Sequence, residues 1–129
     1  MHKLPSAQEV FDIVVNHLFT QGRPSYGGVQ NCMYRAPDGL RCAVGVLIPD
    51  NLYDPEFEGD TADCVIQKLF NKDRADWREH KGLLLALQEV HDECFVISTG
   101  AFSIRDLRTQ LLKVAAEFSL EYRRQPLAD

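Results

Sequence analysis

Five apolar residues near the end of the chain, Ile104, Leu107, Leu111, Val114 and Phe118, recur at spacings of three and four, and no other stretch carries so clean a stripe. Such a stripe is one face of an amphipathic helix. It constrains the fold because a face of that width must be covered by another element. Ser103 precedes it, and Asp106 three positions on completes a pattern that resembles a capping box. A matching face lies upstream, where Trp77, His80, Leu84, Leu87, His91 and Cys94 follow the same spacing on a long helix whose other side shows Glu79, Lys81, Gln88 and Glu89. The connection at 96–102 is short enough to fold the two helices back as antiparallel neighbours. A further helix is predicted from Ala7 to Thr20, with Ser6 as cap and Gly22 as stop. A shorter one presents Ala62, Val65, Ile66, Leu69 and Phe70, with Asp60 as cap and an end by Lys72.

Between these helices glycine and proline punctuate the chain. Residues 22–30, GRPSYGGVQ, read as a connection that could carry function. The turn Pro37-Asp38-Gly39 between the runs 32–35 and 40–44 predicts a β-hairpin, followed by a short buried helix over 45–48. Residues 50–63 hold six acids and no base, interrupted by Pro55 and Gly59, and read as an acidic loop. The fold expected is α+β but mostly helical, with about four helices packed around a small β-hairpin. A chain of 129 residues has room for one core, so residues 1–129 form a single domain.

The formal net charge of −5 argues against general nucleic-acid binding, because phosphates would be repelled. No apolar run approaches a membrane span. The first residues lack the continuous apolar middle of a secretion signal, so a cytoplasmic protein is expected, with Cys32, Cys42, Cys64 and Cys94 as free thiols.

Cys42 beside Arg41 and near the start of an apolar segment could act as a nucleophile, with His91 as its base and Asp92 next in sequence. Neighbours on a helix do not face each other, however, which weakens Asp92 as the residue that orients His91. The bland reading is a buried thiol and a core histidine. A zinc site from Cys32, Cys42, His91 and Cys94 has suitable ligand types, but nine residues separate the first two where such sites use two to four. The acids from Asp54 to Asp60 imitate the start of a calcium loop, and the match fails at Val65, where a bidentate Glu is needed. No metal site and no cofactor are expected. Tyr34, Arg35, Arg41, Tyr53, Phe57 and Glu58 are the candidate contact residues. Against that stands a structural reading in which Arg35 and Arg41 pair with Asp50 or Glu58 to tie the hairpin to the body.

The segment from Cys32 to Asp50, CMYRAPDGLRCAVGVLIPD, followed by Tyr53 and Glu58-Gly59 and by the later block from Leu87 to Asp92, resembles a family of small uncharacterised proteins of bacteriophages, prophages and bacteria. Val46 stands where that family often has a further cysteine, which removes a sulfur that a thiol or metal mechanism would use. The resemblance brings no activity; it implies an accessory role such as interference with a host process. The function expected is binding to a protein partner, inhibiting a host defence among the roles open to it. The alternatives are a cysteine-dependent enzyme using Cys42 and His91, or a sponge that holds a small anion on Arg35 and Arg41. Whether the chain forms a homodimer is left open by the sequence.

Overall fold

The computed structural model describes residues 6–27, 31–36, 39–71, 77, 79–94 and 99–123. Its architecture is helical. Helix α1 spans Ala7–Gln21, α2 Ala62–Asn71, α3 Lys81–Glu93 and α4 Ile104–Glu117. The first starts where Ser6 Oγ accepts the Glu9 amide at 3.3 Å, and it stops where Gly22, at φ 73°, donates its N–H to the Leu18 carbonyl. Ser103 Oγ accepts the Asp106 amide at 3.3 Å in the same way at the head of α4. At the head of α2 the capping hydroxyl belongs to Thr61, which accepts the Cys64 amide; the expected cap, Asp60, instead pairs its carboxylate with Lys68 at 2.5 Å.

Helix α3 is the centre of the packing and lies against α1, α2 and α4. The stripe of α4 meets it inside the chain, with Leu107 and Leu111 fully buried and Val114 nearly so. Trp77, Leu84, Leu87 and His91 are buried on the opposing side. From α1 come Val10, Phe11, Val14 and Leu18, and from α2 Val65, Ile66 and Leu69. Of the long helix expected from Trp77 onward, residue 78 lies outside the described residues, as do 72–76 before it, 96–98 of the 96–102 connection, 28–30 of the glycine-rich segment, and the Pro37-Asp38 turn.

The expected α+β class is overturned, and with it the β-hairpin at its centre. Between the two arms, 32–35 and 40–44, the described residues make a single bridge, Arg35 with Arg41, and the Ala36 amide donates to the Leu40 carbonyl. The only other extended pairing among them is two residues long, Tyr26–Gly27 against Asn31–Cys32. The physical reason is that side chains take the main-chain groups a ladder would use. Glu58 accepts the amides of Tyr34 and Arg35, Gln21 accepts the Arg41 amide, and His17 and Gln21 both donate to the Arg41 carbonyl. Beyond Arg41 the chain curls: the Val46 amide reaches the Cys42 carbonyl, and a 3-10 turn forms over Gly45–Leu47. This turn stands where a short buried helix is predicted. It packs beneath the main chain of Tyr34, whose carbonyl oxygen lies 2.1 Å from where a Cβ on Gly45 would sit. Only glycine permits that crossing.

Candidate functional site

Three side chains on one side of α3, Gln88, His91 and the half-buried Asp92, form a polar chain that reaches two separate loops. His91 is fully buried and Gln88 almost so. The Ser25 amide donates to His91 Nε2 at 2.8 Å, which fixes the imidazole as the tautomer with its proton on Nδ1. That proton is directed at Asp92 Oδ1, 2.8 Å away. Gln88 Nε2 donates to the same oxygen at 2.9 Å, and Gln88 Oε1 accepts the Val44 amide at 3.0 Å. The edge of the Phe102 ring closes on His91, with centroids 5.8 Å apart.

Cys42 is buried beside this network, and its Sγ accepts the Gly45 amide at 3.2 Å. The structure thus brings Cys42 into the neighbourhood of Gln88 and Asp92, with which it lines one cleft. The catalytic geometry imagined for Cys42 and His91 needs a free lone pair on Nε2, and the Ser25 amide holds that lone pair. The Asp92 contact departs from expectation in the other direction. Nδ1 is the ring nitrogen nearer the backbone, so a short carboxylate one residue on can reach it. Gln88, placed by the sequence reading on the outer face, is a member of the network. Its position three before His91 and four before Asp92 is the signal that could have found it.

The candidate contact residues form a second cluster. Besides its two main-chain amides, Glu58 accepts the Tyr53 hydroxyl at 2.5 Å. Burial and the Glu58 carboxylate push the Tyr53 hydroxyl up to about 12. Arg35 donates to the Ile48 carbonyl at 3.0 Å, pairs with Asp50 at 2.8 Å and stacks over the Tyr53 ring at 4.3 Å. Phe57 is buried edge-on to Tyr53. Five of the six residues, Tyr34, Arg35, Tyr53, Phe57 and Glu58, therefore bind one another and close the 48–58 loop onto the 34–35 segment. Arg41 meets them through its main-chain bridge with Arg35, and its amide and carbonyl are held by Gln21 and His17.

The cleft has a volume of about 260 Å³ and is bounded by Met33, Tyr34, Cys42, Asp60, Gln88 and Asp92, with the start of α2 as its far wall. Tyr34 donates its hydroxyl to the Asp60 carbonyl at 2.7 Å. Burial raises the pKa of that hydroxyl well above the ordinary tyrosine value, and the negative field of Cys42, Asp92, Glu58 and Asp60 adds to the shift. Cys42, Cys64 and Cys94 are free thiols; burial pushes Cys94 up to about 11, and the Cys32 side chain lies outside the described residues. Among the described residues no group of three His, Cys, Asp or Glu side chains is placed to hold a metal ion, and no helix is long and apolar enough to cross a membrane.

Comparison with family models, with curated proteins and with solved structures finds no match to the chain.

Proposed function

We propose that this chain is a binding protein, a small accessory protein of the bacteriophage type that occupies a macromolecular partner and so interferes with a host process. The observation that carries the reading is the Ser25 amide on His91 Nε2. The histidine that would have to serve Cys42 as a base is committed to holding a loop, and its partner Asp92 is committed with it. The resemblance of the Cys32 to Asp50 segment to phage proteins supports the setting, and the net charge of −5 favours a partner with a basic surface. The anion-sponge alternative has less support, because the Arg35 guanidinium already serves Asp50, the Ile48 carbonyl and the Tyr53 ring.

Two measurements test this. Affinity capture from a host lysate is expected to return a partner in stoichiometric amount, and its absence under several salt conditions overturns the reading. Limited iodoacetamide treatment followed by mass spectrometry is expected to label exposed Cys64 first and buried Cys42 slowly. Labelling of Cys42 ahead of Cys64 would restore the enzyme.

A further inference from the structure

Past the end of α4 the chain turns back at Ser119, whose φ of 56° makes it the only residue other than glycine in the left-handed region among the described residues. Residues 119–123 then run as a strap to α1, with Leu120 and Tyr122 resting half-buried on the core. Gln8 clamps the strap by its main chain: its Oε1 accepts the Glu121 amide at 2.8 Å, and its Nε2 donates to the Glu121 carbonyl at 2.9 Å. One carboxylate sets up both ends of this seat. Asp12 Oδ1 accepts a second hydrogen bond from Gln8 Nε2 at 2.9 Å, which orients the carboxamide, and Asp12 Oδ2 holds Arg123 at 3.3 Å. We propose that this seat on α1 receives an extended segment of the protein partner, with an arginine two residues beyond the one that Gln8 clamps, and that the strap closes the seat until that segment displaces it. The inference rests on the reading of the chain as a binding protein and names the surface and the kind of segment it takes.

The chemistry of the clamp selects such an occupant. It addresses an N–H and a carbonyl, which every residue except proline offers, so it fits an extended segment of another chain as it fits its own. Selectivity enters at Arg123, where a guanidinium meets the Asp12 carboxylate. The strap also fills the seat incompletely. A space of about 270 Å³ remains between Arg123 and Phe11, Asp12, Val15 and Asn16 of α1, and a segment with more bulk at that point gains contacts that the strap leaves unmade. Finally, the strap is lightly held. Both Gln8 bonds are open to solvent, Glu121 and Arg123 keep 76% and 59% of their side-chain surface, and the left-handed turn at Ser119 relaxes when the strap leaves. A segment held in this way opens locally while the helices stay packed.

The test uses the full chain and the peptide Leu-Glu-Tyr-Arg-amide, which has the sequence of the strap and carries fluorescein at its N-terminus, with binding read by fluorescence anisotropy. The wild type is expected to bind it weakly, because the strap occupies the seat and apparent affinity falls with the open fraction. Glu121→Pro removes the strap's amide donor and leaves every residue of the seat in place, so it should tighten binding about tenfold. Adding Gln8→Ala or Asp12→Asn to Glu121→Pro should cancel the gain, and a peptide with Glu in place of Arg should bind none of these chains. Failure of Glu121→Pro to saturate in the millimolar range, binding no tighter than that of the wild type, or a gain that survives Gln8→Ala overturns the seat. Amide hydrogen exchange of the unsubstituted chain needs no variant to fold: Glu121 is expected to exchange at least about a hundredfold faster than Leu111 of α4, and equal rates, which mean that the strap opens only when the whole chain unfolds, overturn the strap. Dimers of the wild type that the peptide dissociates would make the strap of a second copy the occupant and overturn the partner's segment. A captured partner retained equally by Gln8→Ala and Asp12→Asn, with no peptide binding, overturns the seat alone. Peptide binding with no stoichiometric partner overturns the macromolecular reading alone.

Discussion

His91 donates through Nδ1 to Oδ1 of Asp92 at 2.8 Å, although the two are neighbours on one helix and their side chains leave it about 100° apart. The same oxygen takes a second hydrogen bond from Gln88. Removing it leaves two buried donors without an acceptor, and each such loss costs about 1–3 kcal/mol. Asp92→Ala is therefore expected to lower stability by about 2 kcal/mol, after allowance for water reaching the half-open site. Asp92→Asn, which retains an acceptor oxygen, should cost under about 1 kcal/mol. Urea denaturation of both variants checks the order. Equal losses would mean that the bonds contribute little and that the carboxylate's charge matters more.

Ser25 completes a Ser, His, Asp sequence of contacts, yet its donor is the main-chain amide, and its hydroxyl is buried with no partner among the described residues. A buried hydroxyl without a partner opposes folding. Ser25→Ala should leave stability unchanged or raise it by up to about 1 kcal/mol while the amide still holds His91. A marked loss of stability would show that the hydroxyl, and not the amide, carries the contact.

Gly45 and Gly82 make opposite predictions from the same substitution. A Cβ on Gly45 would collide with the Tyr34 main chain, so Gly45→Ala must push apart the two segments that the Glu58 and Gln88 contacts hold, at a cost of several kcal/mol. At Gly82, within α3, the nearest atom is a Phe118 ring carbon at 3.5 Å, an ordinary contact. Gly82→Ala should stabilise by about 0.5 kcal/mol through lower helix entropy. Thermal melts of the pair read both signs at once.

His17 is held below its ordinary value of 6.5, first by burial and then by the nearby His91 and Arg41, while its bond to the Arg41 carbonyl works the other way. In the window between the lowered folded value and 6.5 the unfolded chain binds more protons than the folded one. The stability tied to neutral His17 is thus complete above pH 6.5 and declines as pH falls through that window, with no further loss beneath it. His17→Gln keeps a donor for the carbonyl and should flatten this part of the profile. Melting temperatures at pH 7.5, 6 and 5 give the comparison, and parallel profiles would remove His17 as the source.

What the sequence made legible, and what it did not, divides along the range of the interactions. Ser6, Gly22 and Ser103 act within a few residues of themselves, and α1 begins and ends, and α4 begins, as their local signals require. The middle of the chain depends on contacts between distant residues. Glu58 reaches back to residues 34 and 35, Gln21 forward to 41, and Gln88 back to 44. A Pro-Asp-Gly turn with apolar flanks is a sound hairpin signal only if nothing else claims the strand amides, and here three side chains do. The same blindness affects the site. Cys42, His91 and Asp92 were visible as residue types, whereas the Ser25 amide that decides the role of His91 is a main-chain group, which no side-chain pattern announces.

The packing of α4 on α3 permits a separate test of whether the stripe serves the chain itself or a second copy. Leu111 is fully buried within the single chain and lies in the middle of the stripe that covers Leu84 and Leu87. Leu111→Ala should then cost about 2–5 kcal/mol, from lost burial and from the cavity left between helices that cannot fully close. Because the contact is intramolecular, the melting temperatures of the wild type and of the variant should both be independent of protein concentration. Exposed Leu112, the next residue, gives the control: it points away from α3, and Leu112→Ala should change stability by less than about 0.5 kcal/mol. A melting point that falls steeply on dilution in the wild type, together with a large effect of Leu112→Ala, would place a dimer interface on α4 and move the stripe's boundary by one residue around the helix.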